Sequence, residues 1–193
     1  MTESSAGAAL TPSQTAGPYL KIGLLDGPLT ERLVDGSDPR AVRVHGVLLD
    51  ANREPVPDGM VEIWQANAAG RYAHPADDRE DIPLEDGFSG FGRSGTVDAG
   101  RFEFVTVKPG RVPWVDGRLQ APHLVVGVFA RGLLKRVATR MYFPDEEAAN
   151  TEDPVLLGLE PQQRATLVAS AEDGGLRFDI VLQGADQTTF FTV

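Results

Sequence analysis

Large apolar residues alternate with polar ones in several short runs along the chain, which is typical of β-strands with one buried face. The clearest alternation extends from Leu176 to Leu182, where every second residue is large and apolar. Further strands are predicted over 42–49, 60–65, 101–107, 123–131 and 136–143, and residues 188–193 are expected to close a sheet. Glycine and proline cluster between these runs, as they do where tight turns join many strands.

Helical periodicity is scarce. Glu160 followed by Pro161 predicts a helix that continues to about Ser170, and residues 145–150 are expected to add one turn. Residues 1–40 and 66–100 are rich in Gly, Asp and Pro and have little periodicity, so they are predicted to be long loops. The chain is therefore predicted to be all-β: residues 1–193 form a single antiparallel β-sandwich domain with long loops and one or two short helices.

Composition narrows the classes of function. The 193 residues include 18 basic and 28 acidic side chains, for a net charge of −10, which argues against nucleic acid and anionic membranes as partners. There is no cysteine, so disulfides, thiolate metal sites and cysteine nucleophiles are excluded. The first residues lack the basic and apolar regions of a signal peptide, and the longest apolar run, 124–130, is too short to span a bilayer. A cytoplasmic protein is expected.

Side chains able to carry chemistry are few. His45 and His74 are predicted to lie on the surface, whereas His123 begins the most apolar strand. The acidic residues at 77–81 lack the alternating oxygen donors of a calcium loop, so a solvated acidic loop is the favoured interpretation. Phosphate-binding loops, paired zinc histidines and nucleophile elbows are missing from the sequence. These residues alone do not identify a reaction.

Several separated motifs resemble those of the intradiol ring-cleavage dioxygenases, which use non-haem Fe(III) to open catechols between their hydroxyl groups. The motifs are WQANAAGRY at 64–72, FGR at 91–93 and VKPGRVPW at 107–114. TPSQTAGPY at 11–19, RMYF at 140–143 and RFDI at 177–180 are similar to the members built from α and β chains. ARG at 130–132 and the ending LQG…FF at 182–191 are similar to the α chains. The resemblance covers nearly the whole chain.

The resemblance implies that catalytic members hold iron with two tyrosines and two histidines. In this sequence the four ligand positions are occupied by Tyr72, Val112, His123 and Val125. Valine has no lone pair to donate, so two of the four donors are missing. Gln120 also stands where the family has arginine, and Arg140 where it has glutamine; a guanidinium at that position repels a trivalent cation. The resemblance therefore implies a vestigial site without metal or a complete catalytic set in this chain, and an Fe(III) site on the β subunit.

The resemblance also implies a role for residues 1–40, as an extended arm that lines the active site of the partner β subunit. Thr15, Gly17 and Pro18 match substrate-pocket positions, and Tyr19 is expected to support them by hydrogen bonding. A glycine permits close backbone approach, proline gives a rigid apolar wall and threonine supplies a hydroxyl. The implied substrates are 3,4-dihydroxybenzoate and O₂, and the implied assembly is a higher-order α/β oligomer.

Three questions stay open at this stage. Arg131 either helps to hold the substrate carboxylate or pairs with an acidic neighbour. A stand-alone β-sandwich module for binding or assembly, without its own catalysis, is the main alternative function. An independent enzyme that binds another metal at Tyr72 and His123, together with loop carboxylates, is the third.

Overall fold

The computed structural model describes residue 17 and residues 22–25, 31–96 and 98–192. The strands within these residues are β1 (Ala41–Leu49), β2 (Met60–Trp64), β3 (Phe91–Gly95), β4 (Arg101–Val107), β5 (His123–Phe129), β6 (Val137–Tyr142), β7 (Ser170–Glu172), β8 (Gly175–Arg177) and β9 (Ile180–Val181). Three short helices follow β6: α1 (Glu147–Glu152), α2 (Pro154–Leu157) and α3 (Pro161–Ala165). No helix in the described part of the chain is both long enough and apolar enough to cross a bilayer.

The strands form two sheets, which confirms the predicted β-sandwich. The first sheet has the order β4-β1-β8-β7, with β9 also paired to β1. The second has the order β3-β2-β5-β6, and all of its pairs are antiparallel. Two pairings depart from the antiparallel expectation, because β1 runs parallel to both β8 and β9.

The main core lies between the two sheets and follows from alternation along the strands. Val44, Leu48 and Phe104 contribute from the first sheet, and Ile63 and Leu124 from the second; each is nearly or fully buried. Residues that alternate with these core side chains lie on the outer faces of the sheets. A smaller buried cluster lies beside the helices, built from Ala121, Tyr142, Ala149, Leu156 and Leu167.

The predicted loop over 66–100 contains a strand that the sequence did not reveal. β3 (Phe91–Gly95) has two glycines in five residues and no β-branched side chain, so its local preference for a strand is weak. It becomes a strand because it pairs along its full length with β2. Tertiary pairing overrides local propensity here.

The predicted continuous strand over 176–182 is interrupted. The amide of Val47 on β1 donates to the Asp179 carboxylate at 3.0 Å instead of to a backbone carbonyl, and this separates β8 from β9. The helix predicted to reach Ser170 also ends early, at Ala165. Beyond it the chain pairs with the edge of β6, where Ala169 donates to Tyr142 O at 3.0 Å. Of the predicted strand over 188–193, the described residues 188–192 contribute an isolated bridge at Phe191 instead of a full strand.

Candidate functional site

The outer face of the second sheet carries a cavity of about 770 Å³. It is bounded by the ends of β2, β3 and β5 and by two loops that fold over the sheet. Its lining includes Trp64, Tyr72, Phe91, Val112, Gln120 and Val125. Four positions that the sequence assigned to a vestigial site, Tyr72, Val112, Gln120 and Val125, are therefore brought together in one cavity.

The strand register places one row of four side chains along this face of the sheet, and the first three of them line the cavity. Phe91 pairs with Trp64, Trp64 pairs with Val125, and Val125 pairs with Arg140. Directly opposed residues on antiparallel strands have Cβ atoms about 4.5–5.5 Å apart and point to the same face. The row therefore passes from two aromatic rings through an aliphatic side chain to a guanidinium.

Tyr72 reaches the cavity from a tight loop that follows β2. The Asn67 side chain accepts from the amides of Ala69 (3.1 Å) and Arg71 (2.9 Å), which fixes the turn. The Tyr72 ring stacks on Trp64 with 5.7 Å between centroids and 14° between planes. Burial raises the pKa of the Tyr72 phenol above its ordinary value of 10.0, and this effect outweighs the positive charge of Arg140, which acts to lower the pKa. The phenol is neutral at pH 7.

An acidic side chain secures the next part of this loop. Asp77 accepts from the Tyr72 amide at 2.8 Å and from both Nε and Nη2 of Arg79, at 2.7 and 2.6 Å. The Arg79 hydrogen bonds are the main reason why the pKa of Asp77 falls to about 2. The carboxylate is therefore used for loop structure, and with its side chain only 9% exposed, Asp77 does not belong to the solvated acidic loop that the sequence favours.

His123 is buried at the start of β5, beside the cavity. Its Nδ1 lies 2.8 Å from the carbonyl oxygen of Ala121, and its ring lies 5.6 Å from the Tyr142 ring. A carbonyl oxygen only accepts, so Nδ1 carries the proton and Nε2 keeps its lone pair. Burial, followed by the positive charge of Arg140, lowers the pKa of His123 to about 4. The imidazole is neutral at pH 7.

Arg140 is fastened to the loop that precedes β5. Its Nη1 donates to Gln120 Oε1 at 2.7 Å and to the Tyr142 hydroxyl at 3.3 Å. The Gln120 amide in turn donates to Pro113 O at 3.0 Å. The guanidinium carbon lies 5.9 Å from the Trp114 ring centroid, within the range of a cation–π contact. The resemblance expects arginine at position 120 and glutamine at position 140, and this chain has the reverse. These two side chains are in direct contact.

A fully buried carboxylate completes this network on the side of the helices. Asp153 accepts from the Tyr142 hydroxyl at 3.2 Å and from the amide of Ala121 at 2.7 Å. It also caps α2 by accepting from the amides of Val155 and Leu156, each at 2.9 Å. Tyr142 thus links a carboxylate and a guanidinium, since it donates to one and accepts from the other.

The residues present do not fit a ferric ion. Tyr72 and His123 retain donor atoms, but Val112 and Val125 offer only methyl groups to the cavity. The Arg140 guanidinium lies opposite Val125. Within the described ranges, no three His, Asp or Glu side chains lie close enough together to hold a metal ion. The described side chains of this cavity therefore do not supply the donor set that a ferric ion requires.

The remaining predicted residues lie away from this cavity or outside the described residues. Arg131 pairs with Asp58 at 3.0 Å and its side chain is 79% exposed, so it pairs with an acidic neighbour in the isolated chain. Gly17 is exposed. Thr15, Pro18 and Tyr19 lie outside the described residues.

The other two histidines differ in burial. His74 is exposed at the edge of the cavity, as the sequence predicts. His45 is less exposed than its predicted surface position implies, because its side chain is only 23% accessible and lies 3.7 Å from the Glu172 carboxylate.

Sequence reasoning missed three residues that shape the site. Trp64 and Phe91 were noted only as parts of motifs, yet they form the aromatic wall. Asp153 was not singled out at all, although the sequence Asp153-Pro154 is a signal for a helix cap followed by a first-turn proline. That signal identifies a cap, but only the fold reveals its bonds to Ala121 and Tyr142.

Comparison with known proteins places this architecture among the dioxygenases. A family profile described as "Dioxygenase" matches residues 18–184. The chain is 41% identical to the protocatechuate 3,4-dioxygenase alpha chain of Pseudomonas putida, over 94% of this chain and 95% of that one. It is 38% identical to the beta chain of the same enzyme from Burkholderia cepacia, over 86% of this chain and 75% of that one.

A solved structure shares the fold. The dioxygenase domain of a dioxygenase–carbohydrate-binding protein fusion from Streptomyces sp. SirexAA-E superposes with a TM-score of 0.58 and 27% identity. The match covers 91% of this chain and 99% of the other. The similarity therefore extends over most of both chains.

Proposed function

This chain belongs to the intradiol dioxygenase family, and we propose that it is the iron-free α subunit of a protocatechuate 3,4-dioxygenase. A β subunit would carry the Fe(III) site. The complex would cleave 3,4-dihydroxybenzoate between its hydroxyl groups and form 3-carboxy-cis,cis-muconate. Both atoms of O₂ enter the product, so the reaction needs no further reductant. The complex would act in the cytoplasm.

One observation carries the assignment of this chain to the non-catalytic role. Val112 and Val125 line the same cavity as Tyr72, at the two positions where the resemblance expects a phenol and an imidazole. Aliphatic side chains cannot coordinate iron. A relative described as a beta chain, at 38% identity, supports the existence of a second type of chain with the same fold.

We further propose that the N-terminal arm, residues 1–40, contributes to the substrate pocket of the β subunit. Thr15, Gly17 and Pro18 would line that pocket and Tyr19 would support them. The exposure of Gly17 is compatible with contact to another chain. The Arg131 side chain is largely exposed and is paired with Asp58. It would bind a substrate carboxylate instead only if assembly of the two chains placed Arg131 beside the substrate.

The test is to prepare this chain alone and together with a candidate β chain. Alone, it should be colourless and contain no stoichiometric iron, because a tyrosinate–iron charge-transfer band requires a liganded ferric ion. With the β chain, it should co-purify, and oxygen uptake should depend on 3,4-dihydroxybenzoate. A coloured, iron-loaded chain on its own would overturn the proposal. Failure to recover a partner with two tyrosine and two histidine ligands would favour a stand-alone module instead.

A further inference from the structure

Arg140 places a positive charge beside the cavity, in contact with Gln120, which lines it. Its two hydrogen-bond acceptors, Gln120 Oε1 and the Tyr142 hydroxyl, are both neutral groups. Two acidic residues that line the cavity itself, Asp77 and Asp78, belong to the loop after β2, and an arginine of the same loop is paired with the first of them.

The guanidinium is also fixed in position and in charge. The amide of Gln120 holds it from one side, and the rings of Trp114 and Phe191 lie 5.9 Å from its central carbon. An arginine cannot lose its proton in a protein, so this charge cannot be removed in the way that a lysine or histidine loses its own.

The charge also lies close to one of the two donor side chains that remain. The Tyr142 ring, whose hydroxyl accepts from Arg140, lies 5.6 Å from the His123 ring. Val125, which lines the same cavity as Tyr72, lies directly opposite Arg140 on the neighbouring strand. A ligand restored at position 125 would therefore hold its metal next to a permanent cation.

We infer that Arg140 is a built-in barrier to metal ions, so that restoring donor atoms at positions 112 and 125 does not by itself create a metal site in this chain. The inference rests on the proposed function only for the choice of those two positions. The guanidinium is a second obstacle, independent of the two valines. The valines leave the site without two ligand atoms, and the guanidinium repels a metal ion that restored ligands would otherwise bind. Gln120 acts as a positioning residue, because it holds the guanidinium against the sheet.

The test compares metal binding by three variants of the isolated chain. The first carries Val112→Tyr and Val125→His. The second adds Arg140→Gln, and the third adds Arg136→Gln instead. Arg136 is the matched control, because it carries the same charge and lines the cavity, whereas its exposure to solvent screens that charge. Each protein is incubated with Fe(III), desalted and analysed for metal per chain and for the tyrosinate–iron absorption band.

The first and third variants should retain less than about a tenth of an iron per chain. The second should approach one iron per chain and bind about a hundredfold more tightly than the first, as expected for removing a unit charge near a trivalent ion. Stoichiometric iron in the first variant, or equal iron in the second and third, would overturn the inference. So would an empty second variant that is folded by circular dichroism.

If these variants fold poorly, the same comparison is made with Val125→His alone and with Val125→His combined with either Arg140→Gln or Arg136→Gln. The protein that carries Arg140→Gln should bind more Fe(III) per chain than the other two. Equal binding by all three folded proteins would contradict the inference. Neither experiment uses a β chain, so a failure of the proposed α/β assembly is detected separately.

Discussion

Val125 and Arg140 lie directly opposite each other on β5 and β6, so an aliphatic side chain and a permanent cation share one level of the sheet. The resemblance expects an imidazole and an amide at these two positions. Both departures therefore occur at one place in the fold, and a third, Gln120, is hydrogen-bonded to Arg140. The cavity therefore combines an aromatic wall with aliphatic side chains that offer no ligand to a metal ion.

Asp153 should be the most sensitive carboxylate in the protein. It is fully buried and accepts from three backbone amides and one hydroxyl. Asp153→Ala leaves these donors without a partner and is expected to lower the free energy of unfolding by about 3 kcal/mol. Urea denaturation measures the loss. The control, Asp116→Ala, removes a largely exposed carboxylate and should have a much smaller effect; equal losses would contradict the central role of Asp153.

His123 should make stability depend on pH between 6.5 and 4. Its pKa is about 4 in the folded chain and near 6.5 when unfolded, so the unfolded chain binds the proton in this interval and the folded chain does not. Acidification therefore favours unfolding, by at most about 1.4 kcal/mol per pH unit. Above pH 6.5 the neutral His123 makes its full contribution to the free energy of unfolding, and below pH 4 that contribution does not fall further.

The measurement is urea denaturation at several pH values between 7 and 4, for the unchanged chain and for His123→Phe. The variant removes the titrating group, so its stability should vary less steeply over this range. Identical slopes for the two proteins would show that His123 is not the group responsible.

Gly70 should tolerate no side chain, because two separate constraints apply to it. Its φ is +87°, and a Cβ would lie 2.3 Å from the carbonyl oxygen of Arg111. Gly117 has a similar φ of +85° but open space around it. A substitution there therefore measures the cost of the backbone conformation alone, without a steric clash. Gly117→Ala is expected to cost about 1 kcal/mol and Gly70→Ala clearly more, as measured by thermal or urea unfolding. Equal costs would mean that the contact with Arg111 relaxes freely.

The arm can be tested in the reconstituted α/β complex. Thr15→Ala or Pro18→Ala should raise KM for 3,4-dihydroxybenzoate about threefold to tenfold, which corresponds to one lost hydrogen bond or apolar contact. Iron per β chain should not change, because the arm is proposed to contact substrate and not metal. Ser13→Ala is the control within the same segment. A loss of iron in the Thr15 or Pro18 variant would place the arm elsewhere.

The sequence predicted the sandwich because its strands carry the period-2 pattern that a two-layer core requires. It missed β3 because Phe91–Gly95 becomes a strand only by pairing with β2, and local propensity does not contain that information. It also predicted one strand over 176–182, because the pattern there is regular. The interruption depends on a single bond from Val47 to Asp179, which joins residues far apart in the chain.

The candidate site was predicted from motif positions, and Tyr72, Val112, Gln120 and Val125 do converge on one cavity. The contact between Gln120 and Arg140 was not predicted, because nothing in either local sequence indicates that the two side chains meet. For Asp153, the sequence indicates the helix cap but not its other contacts. Its bonds to Ala121 and Tyr142 depend on how the helices pack against β5 and β6.

The parallel pairing of β1 with β8 and β9 has a consequence during translation. β1 leaves the ribosome long before its partners at Gly175–Arg177 and Ile180–Val181 have been synthesised. Until then, one edge of β1 can bond only to water, to a chaperone or to another nascent chain. Closure of this edge of the first sheet therefore has to wait until the residues up to Val181 have left the ribosome.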